Sequence, residues 1–508
     1  MKKVLLFIFV LLAFGAVALI QVNAAEKPKD TLTVVISNDI GTLDPHDNTW
    51  FAHHQVTRQI YETLVVRGNQ GKLVPWLAES WEFPDDLTIL FHIRRGVKFH
   101  NGDELKASDV LFSLKRAFSD NTTGALQVNR VNFDACKVID EYTVKVVTKE
   151  PYAMQLAMLE NPLICIISER AYKESKGDFR AAPIGTGPYK FVSYNSGDKV
   201  VLVANENYWI KGEPKTKNVI FRIIADSSSR AIEAESGGAD IVYDIGANDL
   251  KRVKSNPKVN LVTTLGYNTS YLNFNAAKKP LDNPLVREAI WYAVDVKSAI
   301  DIAYGSFGAV ATGFVSPGIE GRHPDLSPWF PKRDVAKAKA LLAKAGYPNG
   351  LTLHICCENS NQQRMDFCEA IQAQLTEVGV KLILDFMEAN DLSATLNNGG
   401  AELAAYGFTA SSGEAGRILM RWLPNATEFK VWNWKDDNYI ALCSKALATI
   451  DDKARNEMFY KCQEILMEGR VALPIWHKEL NAALKPDVKG FNLTPTYEQH
   501  YLQHVYFE

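Results

Sequence analysis

Residues 351–387 read LTLHICCENSNQQRMDFCEAIQAQLTEVGVKLILDFM. A strand at Thr352–Cys356, a helix over Gln363–Val378 and a second strand at Val380–Phe386 make this a βαβ-like passage. Toward the N-terminus, strands at Thr31–Ser37, Leu87–Arg94, Tyr142–Val147, Lys190–Tyr194, Lys199–Ala204, Asn218–Ile224 and Tyr271–Asn275 are interspersed with helical segments. These are an amphipathic stretch from Phe51 to Val66 and helices at Asp109–Phe118 (Ser108 as its N-cap), Met154–Leu159 and Pro284–Val294. Toward the C-terminus, helices near 435–447 and 451–468 precede a strand at Leu473–Trp476 and a last extended stretch. No short repeat or low-complexity linker interrupts the series. Such a mixture at this length predicts an α/β protein of two lobes whose chain crosses between them, a build that captures ligands by hinge closure.

The first residues address the compartment. Lys2 and Lys3 precede an apolar run from Val4 to Ile20, and Val22-Asn23-Ala24 offers small residues before a cut. This is the layout of a secretory signal peptide cleaved near Ala24, and the small-residue site argues against an uncleaved anchor. No cysteine lies at the cut, so a lipidated N-terminal Cys is excluded. The remaining sequence holds no second run long enough to span a bilayer, and a periplasmic location follows. A net charge of −3, with 47% hydrophobic and 10% aromatic residues, describes a globular protein without the basic patch a nucleic-acid partner demands.

Seven cysteines (Cys136, Cys165, Cys356, Cys357, Cys368, Cys443 and Cys462) leave at least one unpaired if every bond is internal. Buried free thiols or one or two disulfides are both compatible with the spacing, and connectivity is not readable. No P-loop, dinucleotide-binding helix start, G-x-S-x-G elbow or H-E-x-x-H helix occurs. His53 and His54 are sequence neighbours and splay apart on a helix, a poor joint metal site. No catalytic residue, resident metal or cofactor is expected.

Several phrases in order carry a resemblance. They are Thr42-Leu43-Asp44-Pro45, Tyr61-Glu62-Thr63-Leu64, Leu77-Ala78-Glu79-Ser80-Trp81, Phe91 through Gly102, Pro183 through Tyr189, Tyr271 through Asn275, Val286 through Ile290 and Ala345 through Gly350. Together they resemble the family 5 extracellular solute-binding proteins, which serve dipeptide, oligopeptide, nickel and glutathione importers. The resemblance implies a monomeric periplasmic binding protein of type II-like fold, with an extra subdomain in the first lobe and a ligand cleft between lobes. By it, residues 1–24 are the signal peptide; 25–50, 190–272 and 485–508 form the core of lobe I; 51–189 form its extra subdomain; and 273–484 form lobe II. The implied partners are a peptide-like small molecule and an ABC permease with a cytoplasmic ATPase.

The resemblance also points to the ligand-reading residues. In dipeptide and oligopeptide members an Asp in a G-W-x-A-D-Y-x-D-P phrase meets the peptide's amino group. Here the stretch is Gly407-Phe408-Thr409-Ala410-Ser411-Ser412-Gly413-Glu414-Ala415-Gly416-Arg417, with Ser411 in place of that Asp. The Arg that meets a dipeptide carboxylate would fall near Glu358, where the sequence has no positive charge. A charge-assisted hydrogen bond of about 1.5–3 kcal/mol is thus absent from each end of the ordinary clamp. The Ser-Gly-Glu-Ala phrase, with Ala311-Thr312-Gly313 and Pro328-Trp329, is similar to the glutathione-binding branch, and Arg364, Arg417 or Arg421 are candidates for the ligand's carboxylates. The expected contacts are Thr42, Asn48 and Trp50 from the small lobe, Asn273 and Asn275 on the crossing strand, and Phe408, Thr409, Ser411, Ser412, Glu414 and Arg417 from the large lobe. A nickel or metal-chelate carrier of the same family, using His53, His54 or His354, and a secreted hydrolase are the alternatives.

Overall fold

The computed structural model describes residues 30–508 apart from 48–50, 69–71, 120–129, 180–182, 306, 411–412 and 497–500. The export signal therefore lies outside the described residues.

The βαβ passage forms as read. Leu351–Glu358 and Val380–Met387 pair in parallel along their full length, and the crossover helix Gln362–Thr376 packs Phe367, Cys368, Ile371 and Leu375 against them. Asn361 caps that helix, its side-chain oxygen accepting from the Arg364 amide at 3.0 Å. Gly350 and Gly379 stand just before the N-terminal ends of the two parallel strands, where the chain segments approach closely: a Cβ on Gly350 would stand 2.1 Å from the Gly379 carbonyl oxygen, and φ there is +88°.

This unit is one edge of an eleven-stranded mixed sheet. From that edge the order is Val380–Met387, Leu351–Glu358, Leu403–Thr409, Asn260–Phe274, Ala472–Leu484, Ile241–Tyr243, Thr31–Ile36, Asn218–Ile223, Lys199–Ala204 and Tyr189–Asn195, with Ala309–Val310 added beside Ala472–Leu484. Two antiparallel strands, Asn260–Phe274 and Ala472–Leu484, connect the two halves. Their first or last residues pack in different cores. Tyr271, Leu272, Leu473 and Ile475 belong to the large core built with the βαβ unit, whereas Leu480, Ala482 and Leu484 belong to the core around Thr31–Ile36. The chain thus changes cores inside these strands, near Gly266 and Lys478, and not at the 272/273 and 484/485 boundaries expected from sequence. A register break between Leu265 and Thr269 lies at the crossing point.

A third core gathers the strands Ala78–Asp85, Thr88–Ile93, Lys137–Asp140 and Thr143–Val147 with the helix Ala107–Ala117. It starts at Leu64, since Ala52, Val56, Ile60 and Tyr61 pack on the lobe I core instead, which shortens the expected 51–189 subdomain at its start. The helix begins at Lys106, not Ser108: the Asp109 carboxylate, one turn in, accepts from the Lys106 amide at 3.0 Å and closes a capping box.

Three of the phrases that carry the resemblance, at Tyr61–Leu64, Phe91–Gly102 and Pro183–Tyr189, meet here in one structural knot. Glu62 is fully buried and accepts from Thr186 Oγ1 at 2.7 Å, Trp76 Nε1 at 2.7 Å and the Tyr208 hydroxyl at 2.8 Å. His100 bonds the Gly187 carbonyl at 2.9 Å. Gly187 cannot carry a side chain, because its Cβ would meet the Gln59 oxygen at 2.6 Å. These residues fix the subdomain to lobe I.

Candidate functional site

Where the two crossing strands pass between cores, a cavity of about 440 Å³ opens. Its floor is the crossing strands themselves, through Tyr267, Asn268, Ser270, Trp476, Lys478 and Asn481. Lobe I supplies Ser37, Phe51 and the turn Asp244–Ala247. Lobe II supplies Tyr304, Phe307, Asn361, Gln363, Arg364 and Thr409. The site is therefore an inter-lobe cleft within the roughly 300–1,000 Å³ range of small-molecule sites.

Each wall is held by bonds that do not use the cleft. Trp476 stacks on Tyr304 with ring centroids 4.1 Å apart and donates its indole N–H to the Phe307 carbonyl at 3.0 Å. The next residue, His477, points the other way, into bonds with Thr269 and Ser316; burial holds it at a pKa of about 3, so it stays neutral. Asn481 clamps Ile245 through both its amide oxygen (2.8 Å) and nitrogen (3.1 Å). The Asp244 carbonyl accepts twice from Arg230, and Asp244 itself adopts φ +57°.

Charge in the cavity is unequal. Among the described residues, Arg230, Arg364 and Lys478 line it against one acid, Asp244. The Arg230 guanidinium is taken up by the carbonyls of Ile224, Ala225 and Asp244. Arg364 stands at the start of the crossover helix, 5.4 Å from the Tyr406 ring centroid and 3.9 Å from the Glu358 carboxylate. A positive charge therefore stands beside the strand end at Glu358, on the adjoining helix.

The residues expected from sequence divide sharply. Thr409 lines this cavity and also a neighbouring one of about 370 Å³, and its hydroxyl accepts from Asn268 Nδ2 at 2.9 Å. Phe408 faces the neighbouring cavity, with the Arg421 guanidinium 4.5 Å over its ring. Asn48, Trp50, Ser411 and Ser412 lie outside the described residues. Thr42 is buried, and its hydroxyl accepts from the Asp44 amide at 3.1 Å, serving its own turn. Asn273 is not a cleft residue: it is 1% exposed, donates to the carbonyls of Ala404 (2.9 Å) and Tyr406 (3.1 Å), and accepts from Trp432 Nε1 at 2.9 Å. Asn275 likewise braces the carbonyls of Gly399 and Ala401. Both occupy the core-facing part of the strand, past the crossing point.

Glu414 and Arg417 lie at the contact between lobe II and the subdomain. Glu414 is buried, and desolvation pushes its carboxyl up to about 7 against the pull of Arg455 and Arg67. Arg67 pairs with Glu160 at 2.8 Å and stands 3.0 Å from where a Cβ on Gly413 would be. Arg417 is half-buried, near the Tyr152 hydroxyl.

The alternative metal donors do not assemble. His53 and His54 are buried and held neutral by desolvation, His53 bonding the Asp44 carbonyl at 3.0 Å, while His354 pairs with Asp385 at 2.9 Å on the sheet edge. Among the described residues no three His, Cys, Asp or Glu side chains are grouped to hold a metal ion.

Tyr304, Phe307, Asn361, Trp476 and Lys478 escaped the sequence reading. Each sits beside a turn or a strand that the sequence signals only as part of a core, so no local motif announces it.

With this geometry established, comparison with known proteins is informative. The model of the bacterial extracellular solute-binding proteins, family 5 Middle, matches residues 72–429. The chain is 29% identical over 499 residues to the glutathione-binding protein GsiB of Escherichia coli strain K12, covering 96% of each chain. Among solved structures it is similar to the ABC transporter-associated periplasmic binding protein DppA from Helicobacter pylori in complex with the peptide STSA (27% identity, TM-score 0.80, 94% of this chain and 98% of that one). It is also similar to AgaA of A. tumefaciens R10 in complex with agropinic acid (28% identity, TM-score 0.79, 94% and 99%).

Proposed function

Because the chain belongs to the family 5 bacterial extracellular solute-binding proteins, which are non-enzymatic transport components, we propose that it captures an acidic, peptide-like solute of the glutathione type and delivers it to an ABC permease. Export behind a leader cleaved near Ala24 and action as a monomer complete the proposal. The observation that carries it is the charge of the cleft: among the described residues, Arg364 from lobe II and Lys478 from the floor stand with one acid, Asp244. Glutathione bears two carboxylates and one ammonium group, a complementary pattern. Ordinary dipeptides carry one of each and leave a cation unmatched in a confined space.

The aromatic wall of Tyr304, Phe307 and Trp476 suits the less polar middle of such a ligand, and Asn268, Ser270, Asn361 and Gln363 offer hydrogen bonds to its amides. The GsiB similarity supports this reading, and DppA and AgaA extend it to peptides and to other small acidic metabolites. Closure about Gly266 and Lys478 then encloses the ligand, and the closed form is what the permease recognises.

The test is calorimetry on the mature protein with reduced and oxidised glutathione, neutral dipeptides, acidic tripeptides and nickel. Saturating ligand at a hundredfold excess over Kd raises stability by about 2.7 kcal/mol. Tighter binding of neutral dipeptides than of glutathione or any acidic tripeptide would sink the proposal. Sequencing the N-terminus of exported protein tests the cleavage site.

A further inference from the structure

The odd cysteine count has a structural resolution. All seven cysteines are buried, yet they are not scattered at random. All seven are free thiols in this structure, but Cys357 and Cys368 lie in one core on a strand and on the helix that packs against it, and Cys443 and Cys462 lie on two consecutive packed helices. In each pair the thiols stand close enough for one to shift the other's acidity. Cys357 shares the inner face of its strand with Leu353 and Ile355, all fully buried. Cys368 lies on the buried face of the crossover helix with Phe367, Ile371 and Leu375. The second pair joins two consecutive helices, Asp437–Ala448 and Asp452–Glu468, with Cys443 on the face of Tyr439 and Ala446 and Cys462 on the face of Phe459 and Leu466. The other three have no thiol in contact: Cys356 takes the opposite face of its strand from Cys357, Cys165 lies in the lobe I core and Cys136 bonds the Asn132 carbonyl at 3.2 Å.

We propose that Cys357–Cys368 and Cys443–Cys462 are disulfides in the exported protein, and that the first bond ties down the turn that presents Asn361, Gln363 and Arg364 to the ligand. The two cysteines bracket that turn on either side, so their bond closes the loop that reaches the cleft. The family is extracellular, where thiols meet oxidising partners.

The chemistry is disulfide exchange. Before the core closes neither thiol of the pair has a privileged acidity and either opens the exchange; Cys357 serves as the example. Its thiolate attacks one sulfur of a protein or small-molecule disulfide, expelling that partner's other sulfur as thiolate. Cys368 then loses its proton and attacks the Cys357 sulfur, releasing the partner's second thiolate. One protein disulfide forms, and the partner is reduced to two thiols. Cys443 and Cys462 react by the same exchange. Burial of all four sulfurs requires the exchange to occur during folding, before the large core closes. Cys165 and Cys356, whose thiols burial pushes up to about 12 and about 11, remain reduced.

The experiment uses the full chain exported to an oxidising compartment, denatured without reductant and alkylated. Three alkylated cysteines, with the other four recovered as the peptides 357–368 and 443–462 in disulfide linkage, is the expected result; seven alkylated cysteines or any other pairing overturns it. C357S exposes Cys368 and raises the alkylated number to four, whereas the double variant C357S/C368S returns it to three with the 443–462 linkage intact. If C357S lowers the count to two, Cys357 was free in the wild type or Cys368 has another partner, and the pairing is wrong. Faster amide hydrogen exchange across 358–367 in the double variant than in the wild type is the expected signature of the tie, and equal exchange refutes that role. None of these readouts depends on which solute is bound.

Discussion

Replacing Arg364 with methionine separates the charge of the cleft from its shape. The side chain is 17% exposed, and its ion pair with Glu358 is long, at 3.9 Å. Methionine keeps the unbranched stem that packs beside Tyr406 and removes only the guanidinium. The loss to the protein itself is a cation–π contact at 5.4 Å, worth about 0.5–1 kcal/mol, so Tm should fall by no more than about 4 °C. The loss to the ligand is larger. A charge-assisted hydrogen bond to a carboxylate is worth about 1.5–3 kcal/mol, so Kd for glutathione should rise roughly 10- to 150-fold. Isothermal titration of wild type and R364M, each with glutathione and with its diamide, gives the answer. The variant should lose affinity for the free acid and bind the diamide as the wild type does. Unchanged affinity for the acid, within about twofold, would show that the carboxylates lie elsewhere and refute the electrostatic argument.

Three further outcomes follow from the same structure. Asn273→Ala leaves the Trp432 indole N–H and the carbonyls of Ala404 and Tyr406 without their partner; urea unfolding should show a loss of about 2–4 kcal/mol with Kd unchanged, and a selective loss of binding would return Asn273 to the cleft. Gly308→Ala puts a Cβ 2.1 Å from Trp476 Nε1 at a φ of +83°; it should cost about 1–3 kcal/mol and weaken ligand binding by moving the aromatic wall, with tryptophan fluorescence reporting the shift. Glu414, at about 7 in the folded chain against an ordinary 4.5, binds a proton in the folded state that the unfolded state has released between those values. Its contribution to stability is therefore greatest below about pH 4.5 and declines as pH rises to about 7, at about 1.36 kcal/mol per unit. Glu414→Gln should be more stable than wild type at pH 8 and equal to it near pH 5 in urea midpoints; parallel stabilities at both would contradict the burial argument.

The sequence made the βαβ unit legible because its two strands and its helix are bounded by clear stop signals, with a glycine just before each strand. The crossing strands were legible only in part. Tyr271–Phe274 and Leu473–Trp476 face a core and read as strand, whereas Asn260–Ser270 mixes Thr, Asn and Gly on surfaces that face the cleft and a register break, so period 2 is lost there. Of the expected contacts, Thr409 lies on the cavity wall, near the end of the strand Leu403–Thr409. Asn273 and Asn275 were misread for a physical reason. An Asn within a buried strand looks the same in sequence whether it meets a ligand or caps carbonyls, and only the position of the crossing point, several residues upstream, separates the cases.

That crossing point also explains why the site is spread over so many segments. Trp476 and Lys478 belong to the floor, yet His477 between them faces inward to Thr269 and Ser316, so the strand alternates ligand wall and core bracket at the place where it changes cores. On the partner strand, Tyr267, Asn268 and Ser270 reach the cavity across the register break, while Thr269 holds His477. A rotation of one lobe against the other must pass through these few residues, since the two strands connect the large core to lobe I here. Ligand contacts placed on them are therefore sensitive to the inter-lobe angle itself: a solute that bonds Lys478 and Asn268 on the floor and Arg364 on lobe II favours one angle over others. A solute that contacts lobe II alone would bind without closing the cleft. The prediction is that Lys478→Met weakens ligand-induced compaction, measured by small-angle scattering, more than it weakens binding. Compaction that survives unchanged in Lys478→Met would mean the floor is a passive surface and the closing force comes entirely from the lobes.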